Sequence, residues 1–75
     1  MTKAYITIST EIGVEREVMA RLSTIPEVKE VHEVYGVYDL VVRIETEKLS
    51  ELKEALGDKI RSLNGVRSTL TMIVV

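Results

Sequence analysis

The chain repeats itself, and that constrains its fold more than any other feature. Displacing the sequence by 38 positions lays Ala4 on Val42, Ile6 on Ile44, Val14 on Leu52, Val18 on Leu56, Leu22 on Ile60, Ile25 on Leu63 and Val28 on Val66. Within each half the apolar period passes from two to about 3.6 and back to two. The first is the period of a strand with one apolar face, the second that of an amphipathic helix. Two strand–helix–strand halves in a chain of 75 residues leave few arrangements open.

In the first half, Ala4, Ile6 and Ile8 alternate with Tyr5, Thr7 and Ser9, which predicts strand one. Val14, Val18, Leu22 and Ile25 set the stripe of a helix over Val14 to Thr24. Pro26 cannot continue it and pushes Ile25 towards an extended conformation. Strand two is expected from Val28 to Tyr35, where Val28, Val31 and Val34 share a face only if a β-bulge intervenes.

Gly36-Val37 reads as a two-residue hairpin turn, with the glycine supplying positive φ. That register pairs Tyr35 with Tyr38, Val34 with Asp39, His32 with Val41 and Glu30 with Arg43, the last by opposite charge. Strand three runs from Tyr38 to Glu45. Thr46 is the expected N-cap of helix two, whose apolar positions Leu49, Leu52, Leu56, Ile60 and Leu63 lead to the capping pair Asn64-Gly65. Gly57 costs about 1 kcal/mol relative to Ala in mid-helix, so a break recapped by Asp58 stays open. Strand four spans Val66 to Val75.

The expected fold is therefore α+β, the ferredoxin-like split βαβ in the order βαββαβ, as one domain over residues 1–75. An antiparallel four-stranded sheet carries both helices on one face. Ala4, Ile6, Leu40, Val42, Ile44, Leu70, Met72 and Val74 are expected to meet the helices. The back face then shows Tyr5, Thr7, Val41, Thr71, Ile73 and Val75, too apolar a set to leave in water. A chain this short buries only about 60% of its unfolded surface, so dimerisation through that face, in a symmetric interface, is expected.

Ten basic against twelve acidic residues, without blocks, give a net charge of −2 and no footprint for a phosphate backbone, so direct nucleic-acid binding is not expected. The absence of Cys removes disulfides and thiolate sites and suits a reducing cytoplasm. No apolar stretch nears the roughly 20 residues that span a bilayer, and no signal-peptide pattern is present. A cytoplasmic protein without a membrane partner is expected. The lone His32 has neither Cys nor a second His beside it, so no metal site or catalytic triad can be built, and no cofactor or catalytic residue is expected. Gly13, Gly36, Gly57 and Gly65 are isolated and make no phosphate loop.

One stretch points to chemistry. A glycine turn frees backbone N–H groups to hold a carboxylate, and Asp39 beside it could pair with an ammonium, which together complement a zwitterion. The plainer alternative is that Gly36 only makes the turn and Asp39 only caps it.

The run Ile25-Pro26-Glu27-Val28, then Val31, Val34, Gly36, Tyr38-Asp39-Leu40, Leu49, Leu52, Leu63, Gly65-Val66, and Thr69, Thr71, Ile73 and Val74, resembles the effector-sensing domain of Lrp/AsnC transcription regulators. This is the RAM domain, for regulation of amino-acid metabolism. The resemblance implies a ferredoxin-like domain that dimerises through its sheet, assembles into rings and binds small effectors such as amino acids between dimers. By position it implies effector contacts from Gly36, Tyr38 and Asp39, from Thr69 and Thr71 on the last strand, and from Glu33 and Val34 before the loop. Full-length members begin with a helix-turn-helix domain, whereas this chain starts at the first sensing strand. A stand-alone sensing module is expected, acting on transcription through co-assembly with full-length regulators or only binding amino acids. Two alternatives remain: a small dimeric enzyme of monooxygenase or isomerase type, with His32 and the tyrosines around an enclosed pocket, or a ligand-free assembly partner.

Overall fold

The computed structural model describes all 75 residues. Strand β1 (Thr2–Thr10) leads to α1 (Glu15–Leu22), β2 (Val28–Glu33), β3 (Leu40–Thr46), α2 (Leu49–Glu54), a π-helical continuation over Ala55–Ile60, and β4 (Val66–Ile73). The strands form one antiparallel sheet in the order β2-β3-β1-β4. This is the ferredoxin-like βαββαβ arrangement expected from the internal repeat.

The core lies between the helices and one face of the sheet. Ala4, Ile6 and Ile8 of β1 and Leu40, Val42 and Ile44 of β3 are fully buried there, against Val18 and Leu22 of α1 and Leu52 and Ile60 from the second helix. Strict alternation on the two central strands made these residues readable.

The second helix does not break at Gly57. It widens instead, and the Arg61 N–H donates to the Leu56 carbonyl, five residues back, at 2.9 Å. The widening has a packing consequence. In an α-helix each step of four overshoots a turn of 3.6 residues, so Leu52, Leu56 and Ile60 would drift around the axis. The wider turn cancels that drift, and all three are buried. Asp58 therefore recaps nothing. Nor does Thr46 cap α2: it is the last residue of β3, paired with Thr2, and its hydroxyl donates to the Lys48 carbonyl at 2.8 Å. The helix starts at Leu49, where the Lys48 N–H donates to Glu51 Oε1 at 2.9 Å.

The bulge expected in strand two is present. Val28 lies opposite Ile44 and Glu30 opposite Arg43, so Lys29 is the extra residue, and Val28 and Val31 both pack on the core. His32 with Val41 and Glu30 with Arg43 pair as expected, and the Val34 N–H donates to the Asp39 carbonyl at 2.8 Å. The fourth expected pair, Tyr35 with Tyr38, does not form. Gly36 has φ +147°, far from the roughly +60° that a two-residue turn of the mirrored type II needs at its first central position. Residues 35–38 are instead an open loop, with Tyr35 fully exposed and Val37 nearly so.

A second bulge changes the reading of strand four. Thr10 lies opposite Val66 but Ser9 opposite Ser68, so Arg67 is the extra residue, 38 positions after Lys29. The bulge reverses the phase of everything after it. Thr69, Thr71 and Ile73 sit opposite the buried Ile8, Ile6 and Ala4 and share the helix-side face, whereas Leu70 and Met72 sit opposite Thr7 and Tyr5 on the back. Leu70 and Met72 therefore do not pack on the helices, and Thr71 and Ile73 are not on the back face. Beyond the strand, the Val74 N–H bonds the Lys3 carbonyl at 2.9 Å, which carries Val74 to the back face as well.

The back face is consequently divided in two. Tyr5, Leu70, Met72 and Val74 make its β1/β4 side apolar, and each is between 43% and 50% exposed. Its β2/β3 side is charged: Arg43 pairs with both Glu30 and Glu45, and His32 Nε2 lies 3.3 Å from Glu30. The hydrogen bond from Arg43, followed by that from His32, holds the Glu30 carboxyl below the usual carboxylate range.

Candidate functional site

Three loops meet at one end of the sheet: residues 11–14 after β1, 34–39 between β2 and β3, and 61–65 before β4. Each contains a glycine with positive φ, Gly13, Gly36 and Gly65. Backbone bonds tie the loops together, since the Glu11 N–H donates to the Gly65 carbonyl at 2.8 Å and the Asp39 N–H to the Ile8 carbonyl at 2.9 Å.

Asp39 is the pivot of this end. Its Oδ2 accepts the Thr10 backbone N–H at 2.8 Å and the Thr10 hydroxyl at 3.4 Å, across 29 residues of sequence. It thus caps the end of β1 rather than its own turn, and its second oxygen makes no bond within the protomer. An Asp39→Ala substitution leaves a part-buried N–H without an acceptor. It is expected to destabilise the fold by about 1–3 kcal/mol in denaturant titrations, with Asp39→Asn, which keeps an acceptor oxygen, losing less.

The residues implicated by family resemblance fall into two groups. Val34, Gly36, Tyr38 and Asp39 lie in or beside the 34–39 loop, and Glu33 ends β2 opposite Leu40. A Cβ at Gly36 would meet nothing within 4 Å, so the loop backbone is open to a ligand there. Thr69 and Thr71 lie on β4, with β1 between them and Asp39. Two strand spacings, about 10 Å, separate the groups. One protomer does not bring them together. The Thr71 hydroxyl is buried without a hydrogen-bond partner.

His32 is exposed and engaged only with Glu30. Tyr5 lies on the back face while Tyr35 and Tyr38 belong to the loop, so the three tyrosines surround no common space. The molecule has three cavities, all open to the surface and none lined by a residue of the buried core. The enclosed pocket between helices and sheet that the enzyme alternative requires is therefore not formed. One cavity, of about 230 Å³, lies at the opposite end of the sheet, where Glu27, Glu45 and Glu47 line it. Another, of about 320 Å³, lies at the loop end against the outer edge of β4, lined by Arg61, Val66, Arg67, Ser68 and Thr69. Thr69 alone of these was implicated by sequence. The two arginines carry no motif, and they meet only because of where the helix ends and where β4 bulges.

No helix is long and apolar enough to cross a membrane. Among known proteins, the sequence model of the Lrp/AsnC ligand binding domain matches residues 3–75. The HTH-type transcriptional regulator FL11 of Pyrococcus furiosus is 43% identical over 72 residues, 96% of this chain and 47% of that protein. The chain thus spans about half the length of such relatives. Homocitrate synthase of Sulfurisphaera tokodaii is 42% identical over 74 residues, 97% of this chain but only 16% of the enzyme. The crystal structure of FFRP-DM1 superimposes with a TM-score of 0.97 at 45% identity, covering 100% of both chains. The regulator NMB0573 of Neisseria meningitidis, solved as an L-Met complex, shares the fold with a TM-score of 0.88 at 21% identity over 99% of this chain and 49% of that one. The relatives of which the chain covers about half, such as FL11, are named transcriptional regulators. The chain belongs to the Lrp/AsnC family, as a ligand-binding domain of the type found in its transcription regulators.

Proposed function

We propose that this domain is an amino-acid sensor that works as an assembly. Two copies pair through the apolar side of their back faces, and dimers join so that the effector sits between subunits of a ring-like oligomer. The observation that carries this reading is the separation of the two groups of candidate residues. The Gly36–Asp39 loop and the Thr69/Thr71 strand lie on opposite sides of β1, so a small effector touching both must take them from different copies.

In that arrangement the loop N–H groups near Gly36 and the free oxygen of Asp39 offer a carboxylate and an ammonium their partners. Glu33, Val34 and Tyr38 line the approach, Thr69 offers a hydroxyl, and Thr71, whose own hydroxyl is buried in the protomer, lies beside it on the same face of β4. The L-Met complex of a protein of the same fold supports an amino acid as the ligand class. An effect on transcription would pass through assembly with full-length regulators in the cytoplasm. Light scattering of the purified protein, with calorimetric titration of each of the twenty amino acids, tests the reading. A mass above that of one chain and saturable binding of at least one amino acid are expected. A monomer at all concentrations, or no binding by the assembled protein, would overturn it.

A further inference from the structure

The cavity at the outer edge of β4 has a chemistry of its own. Its charged lining side chains are Arg61 and Arg67, its other polar ones are Ser68 and Thr69, and no acidic residue lines it. Of the other cations in this net-acidic chain, three are paired, Arg21 with Glu17, Arg43 with Glu30 and Glu45, and Lys59 with Glu27. Lys3, Arg16, Lys29, Lys48 and Lys53 stand without an ion pair, and none of them lines this cavity. Arg61 and Arg67 make no ion pair at all. Arg61 donates only to a neutral group, its Nε–H reaching the Thr69 hydroxyl at 3.4 Å.

The backbone places these charges deliberately. Arg61 follows the last residue of the π-helical segment, and the extra residue that segment accommodates sets its direction. Arg67 is the bulge residue of β4, taken out of the ladder between Val66 and Ser68. Bulges re-aim side chains, and this one directs a guanidinium to the edge where the Arg61 side chain arrives. Two guanidiniums beside two hydroxyls form a lining rich in donors and without an anionic acceptor. Such forks match carboxylates bidentately. The volume of about 320 Å³ lies at the small end of the range for small-ligand sites.

We infer that this cavity binds a small dicarboxylate, so that the effector is an acid rather than a neutral amino acid. A neutral zwitterion would neutralise one guanidinium while bringing its ammonium towards the other, and like charges at short range are unfavourable. A second carboxylate satisfies both. The inference rests on the sensing role proposed above for the source of the ligand. An acidic amino acid would direct its ammonium to Asp39 of a second copy, whereas a dicarboxylate without an amino group would have no use for Asp39.

Calorimetric titration of the full chain in its native assembly separates these cases. The probes are L-glutamate, L-aspartate, 2-oxoglutarate, L-methionine and L-lysine, applied to the native protein and to Arg61→Gln, Arg67→Gln and Arg61→Lys variants whose fold is checked by circular dichroism. The acids are expected to bind at least about tenfold more tightly than L-methionine or L-lysine, and either Gln variant to lose about tenfold or more. Arg61→Lys, which keeps the charge without the fork, should lose less. Preference for glutamate or aspartate over 2-oxoglutarate supports both the cavity and the amino-acid reading. Binding of 2-oxoglutarate alone supports the cavity and overturns the amino-acid reading. Binding of L-methionine or L-lysine, unchanged in the Gln variants and unaccompanied by any acid, overturns the dicarboxylate inference and leaves the amino-acid reading standing. No saturable binding of any probe overturns both.

Discussion

A Gly65→Ala substitution is expected to destabilise the fold by about 2–4 kcal/mol, and Gly65→Val to leave little folded protein. Two costs add at this position. Gly65 has φ +95°, where any side chain is strained by about 1–2 kcal/mol. An added Cβ would also lie 2.9 Å from Val14 Cγ2 and 3.0 Å from Val18 Cγ2, closer than such atoms approach without displacement. Val18 is fully buried, so it cannot yield without disturbing α1 against the sheet. The Gly65 carbonyl also accepts the Glu11 N–H, so a shift here reaches the first loop. Urea unfolding of Gly65→Ala measures the loss. Gly57→Ala is the control: it has no clash and no positive φ, and it should be neutral or stabilising by up to about 1 kcal/mol. Equal stability of the two variants would contradict the close packing of Gly65 on α1.

Leu70→Glu is expected to abolish self-association while leaving the protomer folded. Leu70 is 49% exposed in the isolated protomer and lies opposite Thr7 on the apolar side of the back face, next to Met72 and Tyr5. In a twofold dimer through that face each substitution occurs twice, so two carboxylates are buried without partners. The effective penalty is several kcal/mol per ion, which corresponds to a loss of about a thousandfold or more in dimer affinity. Sedimentation velocity should show a monomer where the native chain is an oligomer. Leu70→Ala should weaken association less, because it removes area without adding charge. An unchanged oligomer in Leu70→Glu would place the interface elsewhere.

The outline of the fold was legible because the two central strands alternate without interruption and both helices carry continuous stripes. Even the first bulge could be read, since Val28 and Val31 are spaced by three and both must reach the core. The phase of β4 could not. After Val66 comes Arg67-Ser68-Thr69, which has no apolar residue to signal that one position is skipped, and the more apolar set, Leu70, Met72 and Val74, looked like the inward one. Those residues face outward because the bulge at Arg67 shifts the phase of β4 by one position. Gly57 marked an irregularity in the second helix, but its form, a widened turn that keeps Ile60 in line with Leu52, depends on tertiary packing.

The candidate site was legible in part for the same reason. Asp39 and Gly36 could be singled out as turn chemistry, and the bond from Thr10 to Asp39 shows why an aspartate suits that position structurally. The arginine pair was invisible, because Arg61 and Arg67 are six positions apart with a turn and a bulge between them. The loop residues around Asp39 lie on one side of β1, and Thr69 with the arginine pair on the other.

The central claim is that the effector is held between copies of this chain. A crystal structure of the assembled protein soaked with a mixture of amino acids measures it directly. The account predicts one bound amino acid in contact with the Gly36–Asp39 loop of one copy and with β4 of another. An occupant enclosed by a single copy, or no occupant at saturating concentration, would contradict it.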